Sequence, residues 1–188
     1  MDRTALLAAL AAHQPFDEHE AGMTRRLAAF VEAYEDCFER SLQVGHLTGS
    51  AWILDGSRQF VLLVHHAKLD RWLQPGGHSD GDRSLLATAR REAVEETGVD
   101  VTPLSESIFD IDIHEIPARR HEPAHYHYDV RHVFTATRMD APLVSPESRD
   151  VRWVALDEVT RLNPEPSLAR MVAKTRLLQA RIVVGCTG

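Results

Sequence analysis

The chain has 188 residues, 44% of them hydrophobic and 26% charged, ordinary globular usage that argues against disorder and suits one α/β domain with an added helical segment. The formal net charge of −7 disfavours a nucleic acid polymer or an anionic membrane as partner, while leaving room for a small phosphate ligand held through a metal and a few local cations. Its two cysteines, Cys37 and Cys186, are far apart and fall in no ligand spacing, which argues against a disulfide framework or a cysteine zinc site and favours a reducing compartment.

In chain order, a short helix is expected over residues 4–12, interrupted by Pro15. Its apolar run from Leu6 to Ala12 is too short and too weakly flanked for a secretory leader, and no stretch approaches the roughly 20 apolar residues needed to cross a bilayer, so the expected location is the cytoplasm. A second helix is expected from Glu18 to Gln43, where Leu27, Phe30, Val31, Tyr34 and Phe38 recur at three- and four-residue steps as a packing face or a dimer contact. A homodimer is therefore left open. The period then changes to that of strands, at 50–57 and 59–66, followed by a loop with Pro75, Gly76, Gly77 and Gly81. A helix from Ser84 to Thr97 is stopped by Gly98 as its left-handed cap. Strands at 107–116, 126–137 and 151–156 and a closing helix at 167–180 complete the series. Residues 1–44 read as a helical extension and 45–188 as the main domain, with a mixed sheet sandwiched between helical layers.

The chemistry concentrates on the 84–97 helix. Glu92, Glu95 and Glu96 stand at i, i+3 and i+4 and share one face. Their mutual repulsion destabilises a bare helix by a few tenths of a kcal/mol per pair, and a divalent cation reverses that cost. Oxygen ligands of this kind favour Mg²⁺ or Mn²⁺ over zinc. A solvated acidic face is the other reading, but Leu85, Leu86, Ala89 and Ala93 lie beside the acidic arc and draw the carboxylates to the edge of the core. The Gly76-Gly77 turn lets backbone approach the start of the helix, where a carbonyl can join a metal shell.

The segment from Gly77 to Val99 resembles the Nudix box, G-x5-E-x7-R-E-U-x-E-E-x-G-U with U a bulky aliphatic. Gly77, Arg91, Glu92, Glu95, Glu96, Gly98 and Val99 are in register, Ala93 is smaller than usual, and Arg83 stands where the pattern has glutamate. Trp72-Leu73-Gln74-Pro75-Gly76-Gly77-His78 is similar to the family's lead-in, and Val151-Arg152-Trp153-Val154 with Asp157-Glu158 to its late strand and short helix. The resemblance implies a Nudix-like α/β/α sandwich and hydrolysis of a nucleoside diphosphate linked to another group. It implies Glu95 and Glu96 as the main metal ligands and Glu92 as a ligand or general base. Arg91 would orient a glutamate, and the carbonyl of Gly76 or Gly77 would add an oxygen. Glu147, six residues before Trp153, would add a further acid from a loop, or be a surface residue after Pro146. Arg83 either contacts a substrate phosphate or is solvated, and Asp80 and Asp82 are placed to restore the lost charge.

Eleven histidines are many for this length, and His114, His121, His125, His127 and His132 cluster. His125, His127 and Asp129 alternate along one expected strand and share a face. They read as a polar wall of the substrate pocket or as mixed metal ligands, one strand alone lacking the closure that zinc needs. His78, Arg83, His125, His127 and Arg131 are the candidate substrate-binding residues, and His46 is a further pocket candidate. His65 and His66 belong to the strand hairpin and its exit. Trp72, Tyr126 and Tyr128 can stack a base or pack. Two other functions stay open: a ligand-binding domain without turnover, supported by Arg83, and a Nudix-fold isopentenyl diphosphate isomerase. The isomerase needs a catalytic cysteine, and neither Cys37 nor Cys186 lies in the expected site.

Overall fold

The computed structural model describes residues 2–118, 123–136 and 142–185 of the chain. Two helices open it, α1 (Arg3–Ala12) and α2 (Glu18–Ala33), each started by an aspartate whose carboxylate accepts a backbone N–H: Asp2 from Ala5 and Asp17 from Glu20. The second stops about ten residues before the sequence reading placed its end. Beyond it the backbone serves tertiary partners instead of the helix ladder, with Leu47 N–H donating to the Cys37 carbonyl and Gly81 N–H to that of Phe38. Phe38 still packs with Leu27, Phe30 and Val31, so the apolar stripe is an internal packing face reached by a turn.

Eight strands follow: β1 (Gly45–Leu54), β2 (Phe60–His66), β3 (Arg71–Leu73), β4 (Gly76–His78), β5 (Val101–Pro103), β6 (Asp110–Ile116), β7 (His125–Ala136) and β8 (Ser148–Ala155). The helix α3 (Leu85–Thr97) lies between β4 and β5, and α4 (Leu156–Leu162) and α5 (Pro166–Gly185) close the chain. The sheet is mixed, in the order β3-β2-β1-β7-β5, with β4 added to β1, β6 to β7 and β8 to β2. Its central pair, β1 and β7, is parallel over ten residues from Gly45↔Tyr126 to Leu54↔Thr135, and the other pairings are antiparallel.

Alternation along β1 and β7 divides the molecule. Leu47, Ala51, Ile53, Tyr128, Val130 and Phe134 face α1, α2 and α3. Trp52, Leu54 and Val133 face α4 and α5, and the Trp52 indole N–H donates to the Thr175 hydroxyl at 2.9 Å. The result is the expected α/β/α sandwich with an N-terminal helical segment, here packed onto the sheet. Three short strands, β3, β4 and β5, lie where the sequence pattern predicts loop. In β5, Pro103 lies on the strand edge beside β7, where a missing donor is tolerated. β4 borders the candidate site.

Candidate active site

β4 is held to β1 by pairing of Thr48 with His78, Gly49 with Gly77 and Ser50 with Gly76. Glycines make this close layering feasible: a β-carbon on Gly49 would come within 2.7 Å of the Leu85 carbonyl at the start of α3. On Gly77 it would stand 2.5 Å from the carboxyl carbon of Glu92. The two neighbours of Gly77 on the strand point the other way, so β4 shows one side to the acidic helix and the other to the opposite face of the sheet.

On the helix side, α3 is capped by the Ser84 hydroxyl and ended by Gly98 at φ 68°. The Gly76 N–H donates to Glu96 Oε1 at 2.9 Å. Arg91 Nη1 lies 2.7 Å from Glu92 Oε1 and 3.3 Å from Glu95 Oε2, and Nη2 donates to the His78 carbonyl at 3.0 Å. This guanidinium thus pins β4 to the helix while orienting two glutamates. Glu147 lies close enough for its charge to act on Glu92 and Glu96, its backbone fixed by the Ala67 N–H donating to its carbonyl at 2.9 Å. Burial, then the negative charges of Glu92, Glu147 and Glu95, push Glu96 up to about 7 against the pull of the Gly76 N–H. Glu92 is raised by burial and by Glu95 and Glu147, with Arg91 opposing. The structure therefore gathers Glu92, Glu95, Glu96, Gly77, Arg91 and Glu147 in one place.

Arg83 is exposed in the loop before α3 and makes no hydrogen bond or ion pair among the described residues. The Asp82 carboxylate accepts the Ser84 N–H at 2.8 Å, so it secures the helix start. Cys37 is fully buried in the cluster under α1 and α2, and Cys186 lies outside the described residues.

On the opposite face, pairing registers bring histidines from four strands together. His46 on β1 pairs with His127 on β7, which pairs with His114 on β6, while His125 adjoins along β7 and His78 arrives from β4. His46 has ring centroids 4.9 Å from His78, 5.1 Å from His125 and 4.8 Å from His127. Burial, reinforced by the neighbouring imidazoles, lowers His127 to about 2 and His46 to about 4, the latter against a smaller opposing pull from the Leu42 backbone. These rings are neutral at ordinary pH. His132 belongs to the other face by alternation, and His121 lies outside the described residues. His65 stacks on Trp72 at 5.0 Å within the β2–β3 hairpin, and Arg152 covers the same indole at 4.3 Å. Tyr128 stacks on Phe30 at 3.9 Å, with Arg26 over Tyr126 at 4.2 Å. These three aromatics are engaged in packing.

Below the histidines runs a buried ionic chain. Arg131 is held by Asp129 at 2.7 Å, Asp112 at 2.9 Å and Asp110 at 3.2 Å, and Asp129 also accepts the hydroxyls of Thr48 and Ser50. Arg170 and Lys174 of α5 reach Asp110 at 2.8 and 2.7 Å. Lys174 also binds Glu20 of α2, which accepts the Ile111 N–H at the sheet edge and contacts His13 at 2.9 Å. Burial pushes Arg131 down, but the three carboxylates outweigh it and hold its pKa above the usual value. The sequence reading placed Arg131 toward substrate; the structure places it in this floor, its donors occupied by carboxylates. None of Glu20, Arg170 or Lys174 was singled out from sequence. The one available signal was the Asp110-x-Asp112 alternation, a charged stripe on a strand otherwise Ile-rich.

Comparisons with known proteins agree with this fold. A Caenorhabditis elegans Ap4A hydrolase structure superposes with a TM-score of 0.59 at 16% identity, over 71% of this chain and 97% of that one. A NUDIX-family hydrolase from Clostridium perfringens gives 0.54 at 25% identity, over 71% and 97%. In sequence, the chain is 37% identical over 68 residues to the m7GpppN-mRNA hydrolase NUDT17 of Danio rerio, covering 34% of this chain and 23% of that protein's length. The NUDIX domain family matches residues 46–175, from the first strand into the last helix, and the chain belongs to that family.

Proposed function

We propose that the chain is a hydrolase of the phosphoanhydride bond in a nucleoside diphosphate derivative or related small molecule, dependent on Mg²⁺ or Mn²⁺. The observation that carries this reading is the seating of Glu92 and Glu96 on the Gly76-Gly77 backbone, with the Arg91 guanidinium joining Glu92 to Glu95 and the charge of Glu147 close by. Four carboxylates so arranged, two of them raised in pKa by burial and by the charges around them, form an all-oxygen donor set that fits a hard divalent cation. A bound cation would supply neutralisation of diphosphate oxygens and acidification of a water.

The chain's own groups do the positioning. The Gly76 N–H fixes the direction of Glu96, Arg91 fixes Glu92 and Glu95, and the bare Cα of Gly77 makes room for the Glu92 carboxylate. Glu147 brings a further acid, suited to ligation or to accepting a proton, from the segment that leads into β8. The names of two relatives, for Ap4A and for m7GpppN-mRNA, both denote nucleosides joined by a polyphosphate bridge, whose phosphoanhydride bonds support that substrate class, while the net charge of −7 favours a small molecule over a long polymer. A binding domain without turnover has no need of four crowded carboxylates. The experiment is a panel of dinucleoside polyphosphates, nucleotide sugars and nucleoside triphosphates with Mg²⁺ or Mn²⁺, following phosphate or mononucleotide release. Metal-dependent turnover of one class is expected; undetectable turnover across the panel would leave the binding reading standing.

A further inference from the structure

Across β4 from the carboxylates, the ligand nitrogens of His46, His125 and His127 all lie within 4.8 Å of one another. We propose that these three histidines, with His78 at their rim, form a second metal centre, selective for an imidazole-preferring transition ion of the Zn²⁺ class. It differs from the carboxylate site in chemistry and in the side of the sheet that bears it.

The site is built by register. The β1–β7 pairing sets His46 beside His127, the two-residue period of β7 adds His125 on the same face, and β4 delivers His78. His78 Nε2 lies 3.3 Å from His127 Nε2, long for a hydrogen bond but equal to the edge of a tetrahedron whose metal–nitrogen bonds are about 2.0–2.1 Å. His125 is oriented from outside: its Nδ1–H donates to the Pro123 carbonyl at 2.9 Å, which leaves the lone pair on Nε2.

His46 supplies the second, independent argument. The residue is 3% exposed, and neither ring nitrogen makes a hydrogen bond of ordinary geometry. A buried polar ring left without a well-formed hydrogen bond is destabilising. Its neighbours are other imidazoles, and the nearby Asp129 is committed to Thr48, Ser50 and Arg131. A cation accepting the lone pairs of His46, His125 and His127 satisfies all three at once. Three nitrogen ligands leave a fourth position, to be taken by His78 or by a ligand oxygen. A polar wall of substrate-facing imidazoles, by contrast, gives His46 no reason to be sealed from solvent.

The test uses the full chain without added tag histidines, stripped of metal by a chelator and titrated calorimetrically with Zn²⁺. Tight binding of one equivalent is expected to persist in the Glu95→Gln/Glu96→Gln variant. It is expected to weaken by at least roughly 100-fold in His46→Asn/His127→Asn, with circular dichroism confirming the fold. Zinc uptake that survives the histidine changes, or disappears with the glutamates, overturns the proposal. Should the histidine variant not fold, Co²⁺ substitution in the unaltered chain decides. Intense visible bands of a four-coordinate nitrogen site support the centre, and the weak bands of an octahedral oxygen site refute it.

Discussion

Two regions of this molecule gather carboxylates, and they do so to opposite ends. At the edge of α3, one guanidinium serves Glu92 and Glu95, while burial and the surrounding negative charges, Glu147 among them, raise Glu92 and Glu96. In the floor, Glu20, Asp110, Asp112 and Asp129 are met by Arg131, Arg170 and Lys174 and by backbone and hydroxyl donors. The second arrangement is balanced and buried, so it holds elements together. The first carries an unspent excess of negative charge, which has no structural use and is what the proposed cation would neutralise.

The contrast fails if both regions respond alike to substitution. The largest effect is expected from Glu96→Gln, which should lower turnover on the order of a thousandfold while leaving the melting temperature unchanged or slightly higher, since it removes self-repulsion. Phosphate release and calorimetry on the same sample check both halves. Glu20→Ala should do the reverse. Removing Glu20 leaves Lys174 with Asp110 as its one carboxylate and strips His13 and the Phe16 and Ile111 N–H groups of their acceptor, which costs about 3–5 kcal/mol, read as a shift in the denaturation midpoint with activity per folded molecule retained.

Acid and base should pull the regions in opposite directions. Burial raises Glu20, but hydrogen bonds from His13, Lys174 and the Phe16 N–H, with the charge of Lys174, hold it at about 2 against an ordinary 4.5. Its contribution is full above pH 4.5 and is lost as the pH falls toward about 2. Glu96 is raised from 4.5 to about 7, so in metal-free protein stability is lost as the pH rises between those values. Denaturant titrations across this range, with Glu20→Gln and Glu96→Gln each flattening one limb, separate the two, and Mg²⁺ should suppress the Glu96 limb alone.

A smaller effect is expected at Gly77→Ala. The atoms nearest its new methyl belong to the flexible end of Glu92, so the fold should survive, while displacement of that carboxylate lowers turnover by roughly 10- to 100-fold. The smallest is Gly98→Ala, where φ 68° and the close Leu143 side chain make a β-carbon unfavourable by about 1 kcal/mol, visible in thermal unfolding with little change in rate.

The legible parts of the molecule were the local ones. Glu92, Glu95 and Glu96 share a face because of helical spacing alone, and the cap at Gly98 follows from one residue's freedom. β4 was illegible because its pairing depends on what lies across from three residues, two of them glycine, which carry no strand signature. The chain leaving α2 was misread because its apolar period continues while its backbone bonds are diverted to Leu47 and Gly81. His125 and His127 could be placed on one face, but His46 joins them only through a pairing whose registers link residues 81 apart, as at Thr48 and Asp129. The ionic floor needs three such distant encounters at once.

That long parallel ladder between β1 and β7 also sets when the molecule can begin to work. A ribosome must deliver β7 before β1 has its central neighbour, and the two must then close a loop that contains α3 and five other strands. Such non-local pairing slows folding, since chain entropy is spent before contacts return it. The acidic helix is built from local contacts, yet the backbone that aims its glutamates is seated on β1. Competence is therefore expected as a late event in folding, arriving with the ladder and not with the motif.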